Sequence, residues 1–310
     1  MRVRLIGAGL CVLLLAGCGG GNRAAASFHP GAGSGGSPGA ATVDPSPSGS
    51  PAASPSAAPS GSPSAKAGAA TGTAGTPPSH FGTVAAGATL PSPAQCAAWV
   101  RATPFPENKP GNAAANQHTG QHVGSDIFSG DDARAGRLIA PRIDGQFTGT
   151  TGQILRWVAC KWGIDEDIVL AQAAVESWWR QSTKGDFDSD ATACPPGHGL
   201  GADGTPGKCP QSYGVLQTRY PYMKSGWPGI ADSTAMSADL GYGIWRACFE
   251  GYETWLNTVE QGQRYAAGDA WGCVGRWFSG RWHTAAGNTY VTKVQGYLAQ
   301  RIWQQSGFAG

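Results

Sequence analysis

A long low-complexity segment decides how much of this chain can fold. Residues 19–90 are almost entirely Gly, Ala, Ser, Pro and Thr, with few charges and almost no large apolar side chains. A segment of this composition cannot bury enough apolar surface to offset the conformational entropy that it would lose on ordering. We therefore predict a disordered tether over residues 19–95. The remaining residues, 96–310, are numerous enough to form one sizeable hydrophobic core.

Ahead of the tether, residues 1–18 have the pattern of an export signal. Two arginines precede an apolar run over residues 5–17, which is too short to span a membrane. The run ends in Leu15-Ala16-Gly17-Cys18, which resembles the lipobox of bacterial lipoproteins. The resemblance implies cleavage before Cys18, acylation of that cysteine and anchoring to the outer face of the bacterial cell membrane. A signal that is cleaved without lipidation is the alternative.

The side-chain charges balance once the predicted signal is removed. The chain has 22 Lys plus Arg and 20 Asp plus Glu, and two of the basic residues, Arg2 and Arg4, lie in the signal. The mature side chains then carry no net charge. This balance gives no electrostatic attraction for a polyanion, so we do not expect nucleic acid as a partner.

Six cysteines remain when Cys11 is removed and Cys18 is acylated. An even number in an exported chain indicates up to three disulfides, although six cysteines allow 15 pairings. The spacings typical of zinc sites, C-x2-C and H-E-x-x-H, do not occur in the sequence, which makes zinc the weaker interpretation. We expect the pairs Cys194–Cys209, Cys248–Cys273 and Cys96–Cys160.

Helical patterns dominate the C-terminal half, and we predict a mostly α fold. One helix is predicted over residues 151–162, and a second begins after Asp165, whose side chain suits an N-cap. Apolar residues at helical spacing predict two more helices over residues 236–259 and 286–305. Residues 96–150 are rich in Pro, Asn and Gly, so we expect a loop-rich extension with one short helix.

The helix after Asp165 carries one carboxylate, Glu176, in a run that otherwise has the composition of a buried helix. Glu176 shares a helical stripe with apolar and small residues, and Trp178 and Trp179 follow it. One interpretation is that Glu176 points into water or pairs with Arg180. The other is that a partly dry pocket against tryptophan raises the pKa of Glu176, which then stays protonated near neutral pH and can donate to a leaving oxygen.

Two later segments complete a pattern that begins with Glu176-Ser177. They are Ser212-Tyr213-Gly214-Val215-Leu216-Gln217 and Gly275-Arg276-Trp277-Phe278-Ser279-Gly280. The order resembles that of the lysozyme-like soluble lytic transglycosylases and the goose-type lysozymes, over residues 151–310. The resemblance implies a single lysozyme-like helical domain that cleaves the β-1,4 bond between N-acetylmuramic acid and N-acetylglucosamine in peptidoglycan. We expect a monomer that needs neither metal nor cofactor.

The resemblance also implies roles for individual residues. Glu176 would be the catalytic acid and base, because cleavage of a glycosidic bond needs a proton on the leaving oxygen. Gly214 would let the backbone approach a sugar, and Gln217 would bind acetamido groups, with Ser212 and Tyr213 beside them. An ordinary turn that enters a short strand is the alternative for these residues.

Aromatic residues are a further expectation, because the apolar face of a pyranose stacks on an indole ring. Most tryptophans on helical stripes belong to a core, and we expect only Trp179, Trp277 and Trp282 to line a groove. The tyrosine that partners the catalytic Glu in the family has no counterpart at Trp277-Phe278. Tyr242 is the candidate to supply it.

A second carboxylate would separate an inverting hydrolase from a transglycosylase. A hydrolase places a base roughly 6.5–9.5 Å across the cleft to activate water, whereas in lytic transglycosylases the 6-hydroxyl of the muramic sugar attacks its own C1. Goose-type lysozymes carry an Asp two residues after the motif Gln, and Arg219 stands there in this chain, which favours transglycosylation. Asp186 and Asp188, followed by Asp190, are the candidate bases. Their run resembles the start of a calcium loop but lacks its Gly and its closing Glu.

Two functions of other kinds stay open from the sequence. A wall-binding lipoprotein without catalysis is one, because the expected tyrosine is missing. A metal-dependent amidase that uses His118 and His122 is the other, although Gly120 and the neighbouring polar residues favour a loop.

Overall fold

The computed structural model describes residues 76–258 and 263–310. Within these ranges the chain is mostly helical and has one small sheet, as the sequence predicts. The helices are α1 (Pro93–Arg101), α2 (Thr151–Trp162), α3 (Glu166–Ser177), α4 (Gly229–Asp232), α5 (Thr234–Phe249), α6 (Ala270–Ser279) and α7 (Ala285–Ala299). The strands are β1 (Lys184–Gly185), β2 (Ser212–Tyr213) and β3 (Thr218–Arg219). Short 3-10 and π turns occur along the segment between α1 and α2.

Local capping signals fix the two central helices. Thr150 and Gln153 form a capping box at the start of α2, and Gly163 ends that helix in the left-handed region with φ 58°. The side chain of Asp165 accepts from the backbone N–H of Asp167 and caps α3, as predicted. Because only three residues separate the helices, α2 and α3 pack against each other as neighbours.

Three helical predictions differ from the structure. The helix predicted over residues 236–259 ends at Phe249, because Gly251 follows with φ 79°. The helix predicted over 286–305 ends at Ala299, and Arg301 has a left-handed φ of 42°. The sequence pattern did not predict α6 at all, since its glycines and aromatics are typical of a turn.

The core lies between α2, α3 and α5. The buried polar side chain at its centre is Asp239 of α5, which is fully enclosed. Its Oδ2 accepts from Lys161 Nζ at 2.7 Å, and its Oδ1 accepts from Trp162 Nε1 at 2.7 Å. The backbone N–H groups of Asp144 and Gly145 also donate to Oδ2, each at 2.9 Å. These four donors tie α5 to the end of α2 and to the loop before it.

Close packing of α6 on α7 depends on two glycines. A Cβ at Gly275 would lie 3.3 Å from the carbonyl oxygen of Gly287, and a Cβ at Gly287 would lie 3.0 Å from that of Gly275. Larger side chains would therefore separate the helices. α7 also packs along α3, which brings it to the end of α3 that carries Glu176.

The sheet is small and antiparallel, in the order β1-β2-β3. Gly185 pairs with Ser212, and Tyr213 pairs with Thr218. A tight turn over residues 214–217 joins β2 to β3. The motif segment is thus a strand that enters a turn, and the sheet holds this turn near the end of α3.

The folded region begins earlier than predicted, which corrects the boundary at residue 95. Residues 80–90 form a strap on the helical body, in which the N–H of Val84 donates to the Gly163 carbonyl at 3.0 Å. Arg246 donates to the carbonyls of Val84 and Ala85 at 2.8 and 2.9 Å. Val84 and Leu90 also cover Gly163. The hydrogen bonds from the buried Arg246 to these backbone carbonyls explain why the strap is ordered, which its composition does not predict.

All three predicted disulfides are present. Their Cα–Cα distances are 5.6 Å for Cys96–Cys160, 5.7 Å for Cys194–Cys209 and 5.8 Å for Cys248–Cys273. The predicted signal, Cys18 and most of the predicted tether lie outside the described residues. Among the helices that the structure does describe, none has the length and apolar character needed to cross a membrane.

Candidate active site

Glu176 lies in the last turn of α3, where the chain changes direction sharply. The residue is half-buried. Trp178 and Trp179, which follow the helix, both adopt left-handed conformations, with φ of 59° and 61°. Each such conformation costs a non-glycine residue roughly 1–2 kcal/mol. Two in succession show that packing dictates the backbone path directly after Glu176.

The Glu-Ser and Gly-x-x-Gln halves of the motif meet in space. Ser177 Oγ donates to the carbonyl oxygen of Val215 at 2.9 Å. On the same turn, Gln181 Oε1 accepts from the Val215 N–H at 3.2 Å, and Trp277 Nε1 donates to the Leu216 carbonyl at 3.3 Å. The end of α3 and the end of α6 therefore both hold the 214–217 turn.

Tyr290 of α7 is the tyrosine that contacts Glu176. Its hydroxyl donates to Glu176 Oε1, and its ring is 6% exposed. Burial raises the pKa of Tyr290 well above its usual value, and the negative charge of Glu176 adds to the shift. The phenol consequently remains a donor at every physiological pH.

Tyr242, the residue expected to partner Glu176, interacts with it electrostatically. Its hydroxyl donates to the Val169 carbonyl at 3.0 Å, one to two turns before Glu176 in α3. Sequence reasoning missed Tyr290 because the family pattern directed attention to Trp277-Phe278. Its place on the apolar stripe of the predicted last helix was the available signal.

Gln217 lies at the site, but its amide group is partly committed to the turn. It has a left-handed φ of 54°, and its Nε2 donates to the carbonyls of Thr183 and Gly214 at 3.0 Å each. Its Oε1 lies over Gly185, where a Cβ would collide with it. The amide nitrogen thus orders the turn, and a glycine at 185 makes room for the amide oxygen.

The reason for a glycine at 214 differs from the expected one. Gly214 has φ 78°, and a Cβ there would collide with Ser237 of α5 and with the Ile230 carbonyl. The glycine therefore permits close packing of the turn on the protein interior. The expected approach of a sugar to this backbone is not what requires it.

Several expected sugar-contacting side chains belong to the core, which corrects those predictions. Trp179 is fully buried, donates from Nε1 to the Leu170 carbonyl at 2.8 Å and packs on Phe308. Tyr213 is 1% exposed and donates to the Pro210 carbonyl at 3.0 Å. Trp282 is also buried, while Trp277 is partly exposed and stays at the site.

Asp186 differs from the other candidate bases in its surroundings. Its side chain is 43% exposed, accepts from the Ser212 hydroxyl and lies 3.9 Å from Arg219 Nε. The carboxylate of Asp188 accepts from the Asp190 N–H at 2.9 Å, and Asp190 accepts from Thr192. Asp186 therefore lies against the sheet at Ser212 and Arg219, and the other two aspartates shape their own loop.

Phe278, at the end of α6, is an aromatic residue at the site that the sequence did not single out. Its ring stacks on Tyr290, with centroids 4.8 Å apart and planes inclined by 6°. It is 36% exposed. A continuous row of side chains thus runs from the end of α3 to solvent. It consists of Glu176, Tyr290 and Phe278.

A metal site at His118 and His122 is not supported. Both residues lie in an exposed loop, where His118 Nδ1 is 3.2 Å from the Asp232 carbonyl oxygen. Elsewhere His80, Glu166 and Asp167 bring possible ligand atoms within 4.8 Å of one another. Arg156 and Arg301 neutralise that group, at 3.1 Å from Glu166 and 2.9 Å from Asp167, so it is an ion-pair cluster.

Comparison with known proteins adds no assignment. No protein-family model, no curated protein and no solved structure matches this chain. The likeness to lysozyme-like enzymes therefore rests on the motif residues and on the geometry of Glu176, Tyr290 and the 214–217 turn.

Proposed function

We propose that this chain cleaves the β-1,4 bond between N-acetylmuramic acid and N-acetylglucosamine in peptidoglycan, by lytic transglycosylation. The observation that carries the proposal is the contact between the Tyr290 hydroxyl and Glu176, at the place where Ser177 binds the 214–217 turn. One carboxyl group, half-buried and hydrogen-bonded by a phenol, has the surroundings that a general acid and base requires.

The proposed reaction needs one carboxyl group in two protonation states. Protonated Glu176 gives its proton to the leaving glycosidic oxygen as the bond to C1 breaks. The 6-hydroxyl of the muramic sugar then attacks C1, and the Glu176 carboxylate takes the proton of that hydroxyl. A 1,6-anhydro ring forms, and the acid is restored. Tyr290 stabilises the charged intermediate form of the carboxylate by donating to it.

An inverting hydrolase is the second candidate, and Asp186 is the observation that favours it. This carboxylate is exposed, and it lies on the sheet that carries the 214–217 turn, so a water that it activates would be the nucleophile at C1. Its engagement by Ser212 and Arg219 favours the transglycosylase instead. The binding-only alternative was favoured by a missing tyrosine partner for Glu176, and the hydrogen bond from Tyr290 argues against it.

Product analysis tests both candidates. We expect Glu176→Gln to reduce the clearing of a peptidoglycan suspension by roughly 10²- to 10⁴-fold, with an unchanged thermal unfolding midpoint. Mass analysis should give sugars lighter by one water than the hydrated reducing end. Asp186→Asn should retain activity, as should the matched Asp188→Asn. A hydrated product that Asp186→Asn abolishes would establish the hydrolase.

The proposed location is the outer face of the bacterial membrane, with a lipid on Cys18 and the wall within reach. Three disulfides support an oxidising compartment outside the cytoplasm. We expect Cys18→Ser to release the protein from the membrane fraction into the medium. Retention of that variant on membranes would contradict the anchor.

A further inference from the structure

Phe278 stands apart from the other exposed apolar side chains in residues 76–258 and 263–310. Leu138, Leu200 and Phe278 are the large apolar residues with the greatest exposure there, at 49%, 44% and 36%. Single exposed leucines are common on protein surfaces. An exposed aromatic ring that packs on the hydrogen-bond partner of Glu176 has a more specific position.

The stack fixes where the open surface of the Phe278 ring lies. One face is covered by Tyr290 at 4.8 Å and 6°, so the exposed surface belongs to the other face and the ring edge. A ring radius and a hydrogen-bond length keep the ring centre within about 10 Å of Glu176 Oε1. One or two pyranose rings cover that distance.

The ring is also held in place before any ligand arrives. Gly275 and Gly287 bring α6 and α7 into contact, and Phe278 and Tyr290 follow them by three residues on their helices. The neighbouring Trp277 is bonded to the Leu216 carbonyl. A preordered ring loses little conformational entropy when it binds.

We infer that Phe278 is a binding platform for one pyranose ring of the glycan, next to the bond that is cleaved. The inference rests on the proposed function and adds a substrate-binding residue to it. The negative face of a phenyl ring attracts the polarised C–H groups on the apolar face of a sugar. A leucine would cover Tyr290 equally well but would lack the flat face, and this difference makes the role testable.

The test uses the full chain with Glu176→Gln, which prevents turnover. Calorimetry measures the dissociation constants of an N-acetylglucosamine tetramer and of peptide-free glycan strands. We expect Phe278→Leu to weaken binding roughly tenfold and Phe278→Trp to preserve it within about threefold. Leu138→Ala, a change of an exposed apolar residue elsewhere, should leave binding unchanged. Unfolding midpoints confirm that each variant is folded.

Two results would overturn the inference. One is a dissociation constant for Phe278→Leu that matches the parent, and the other is failure of both probes to bind the Glu176→Gln chain. With Glu176 restored, Phe278→Leu should raise KM and change kcat little. If Glu176→Gln retains lytic activity, the proposed mechanism fails while the binding series still reports on Phe278. If Glu176→Gln is inactive and Phe278→Leu binds normally, only the platform fails.

Discussion

Asp239 and Glu176 are two carboxylates on core helices with opposite surroundings. Asp239 is completely buried and accepts from Lys161, from Trp162 and from two backbone N–H groups. Glu176 is half-buried, at a helix end, and accepts from a tyrosine hydroxyl.

The difference separates a structural acid from the proposed catalytic one. Four directed donors, one of them the buried Lys161 ammonium, hold Asp239, and removing its carboxylate would leave that cation with Asp144 alone. Glu176 accepts from a neutral phenol and is partly exposed, which the proposed role of an accessible acid requires. Fully satisfied carboxylates stabilise the fold, and incompletely enclosed ones can exchange protons.

The largest expected effect is that substitutions at the two sites change different properties. The change at Asp239 should lower stability, and the change at Glu176 should lower activity. Asp239→Asn should lower the free energy of unfolding by about 3–5 kcal/mol, since it leaves the fully buried Lys161 ammonium without its main partner. Glu176→Gln should change that free energy by less than about 1 kcal/mol. Urea denaturation with intact disulfides measures both. Equal stability losses would remove the distinction.

Removing single hydroxyls sharpens the comparison. Tyr290→Phe should reduce activity roughly 10- to 100-fold, the value of a hydrogen bond to a charged group. The alkaline limb of its pH–activity profile should move to higher pH, because losing a donor to the carboxylate favours the protonated form of Glu176 with which the proposed reaction begins. Tyr242→Phe is the matched control, and should keep activity while unfolding about 1 kcal/mol more easily. Identical profiles for the two variants would exclude a special role for Tyr290.

Ser177→Ala tests whether the turn must be fastened to α3. The variant loses the bond to the Val215 carbonyl, and we expect a stability loss of about 1–2 kcal/mol with a severalfold loss of activity. Ser177→Thr, which keeps the hydroxyl, should restore part of both. If activity survives the alanine change intact, the turn does not depend on this contact.

The smallest effect concerns the acidic start of α3. Burial pulls the pKa of His80 down, but its hydrogen bond to Asp165 and the charges of Asp165, Glu166 and Asp167 outweigh this and raise the pKa above 6.5. Stability from the raised pKa is fully present below pH 6.5 and is lost as the pH rises through the folded-state value. His80 is 41% exposed, so the contribution should stay below about 1 kcal/mol.

Unfolding midpoints between pH 5 and 8.5 measure this effect. His80→Gln should flatten their dependence on pH. Arg156 and Arg301 are the positively charged groups beside this cluster, bonded to Glu166 and Asp167. If the unfolding midpoint of His80→Gln depends on pH as strongly as that of the parent, the dependence arises from groups other than His80.

Sequence patterns predicted the features that depend on nearby residues. The caps at Asp165 and Gly163 and the last helix follow from local rules, and the disulfides followed from parity and spacing. The Glu-Ser and Gly-x-x-Gln halves were joined correctly because each is a short motif. Periodicity could not tell which aromatic ring faces a groove, so Trp179 and Tyr213 were misplaced.

The remaining errors arose where distant residues decide the outcome. Tyr290 reaches Glu176 because α7 packs along α3, although the two residues are far apart in the sequence. The strap is ordered by Arg246, more than a hundred residues downstream, so its own composition carries no sign of it. Tertiary contacts of this kind override local propensity.

The strap also sets where mechanical load enters the domain. A pull on the chain ahead of residue 76 first strains the bonds from the backbone of Phe81 and Val84 to Glu166 and Gly163, and then the Cys96–Cys160 crosslink. These attachments lie on α2 and at the opposite end of α3 from Glu176. Tension is thereby delivered to α2 and the start of α3, and the Tyr290–Glu176 pair stays outside the line of force.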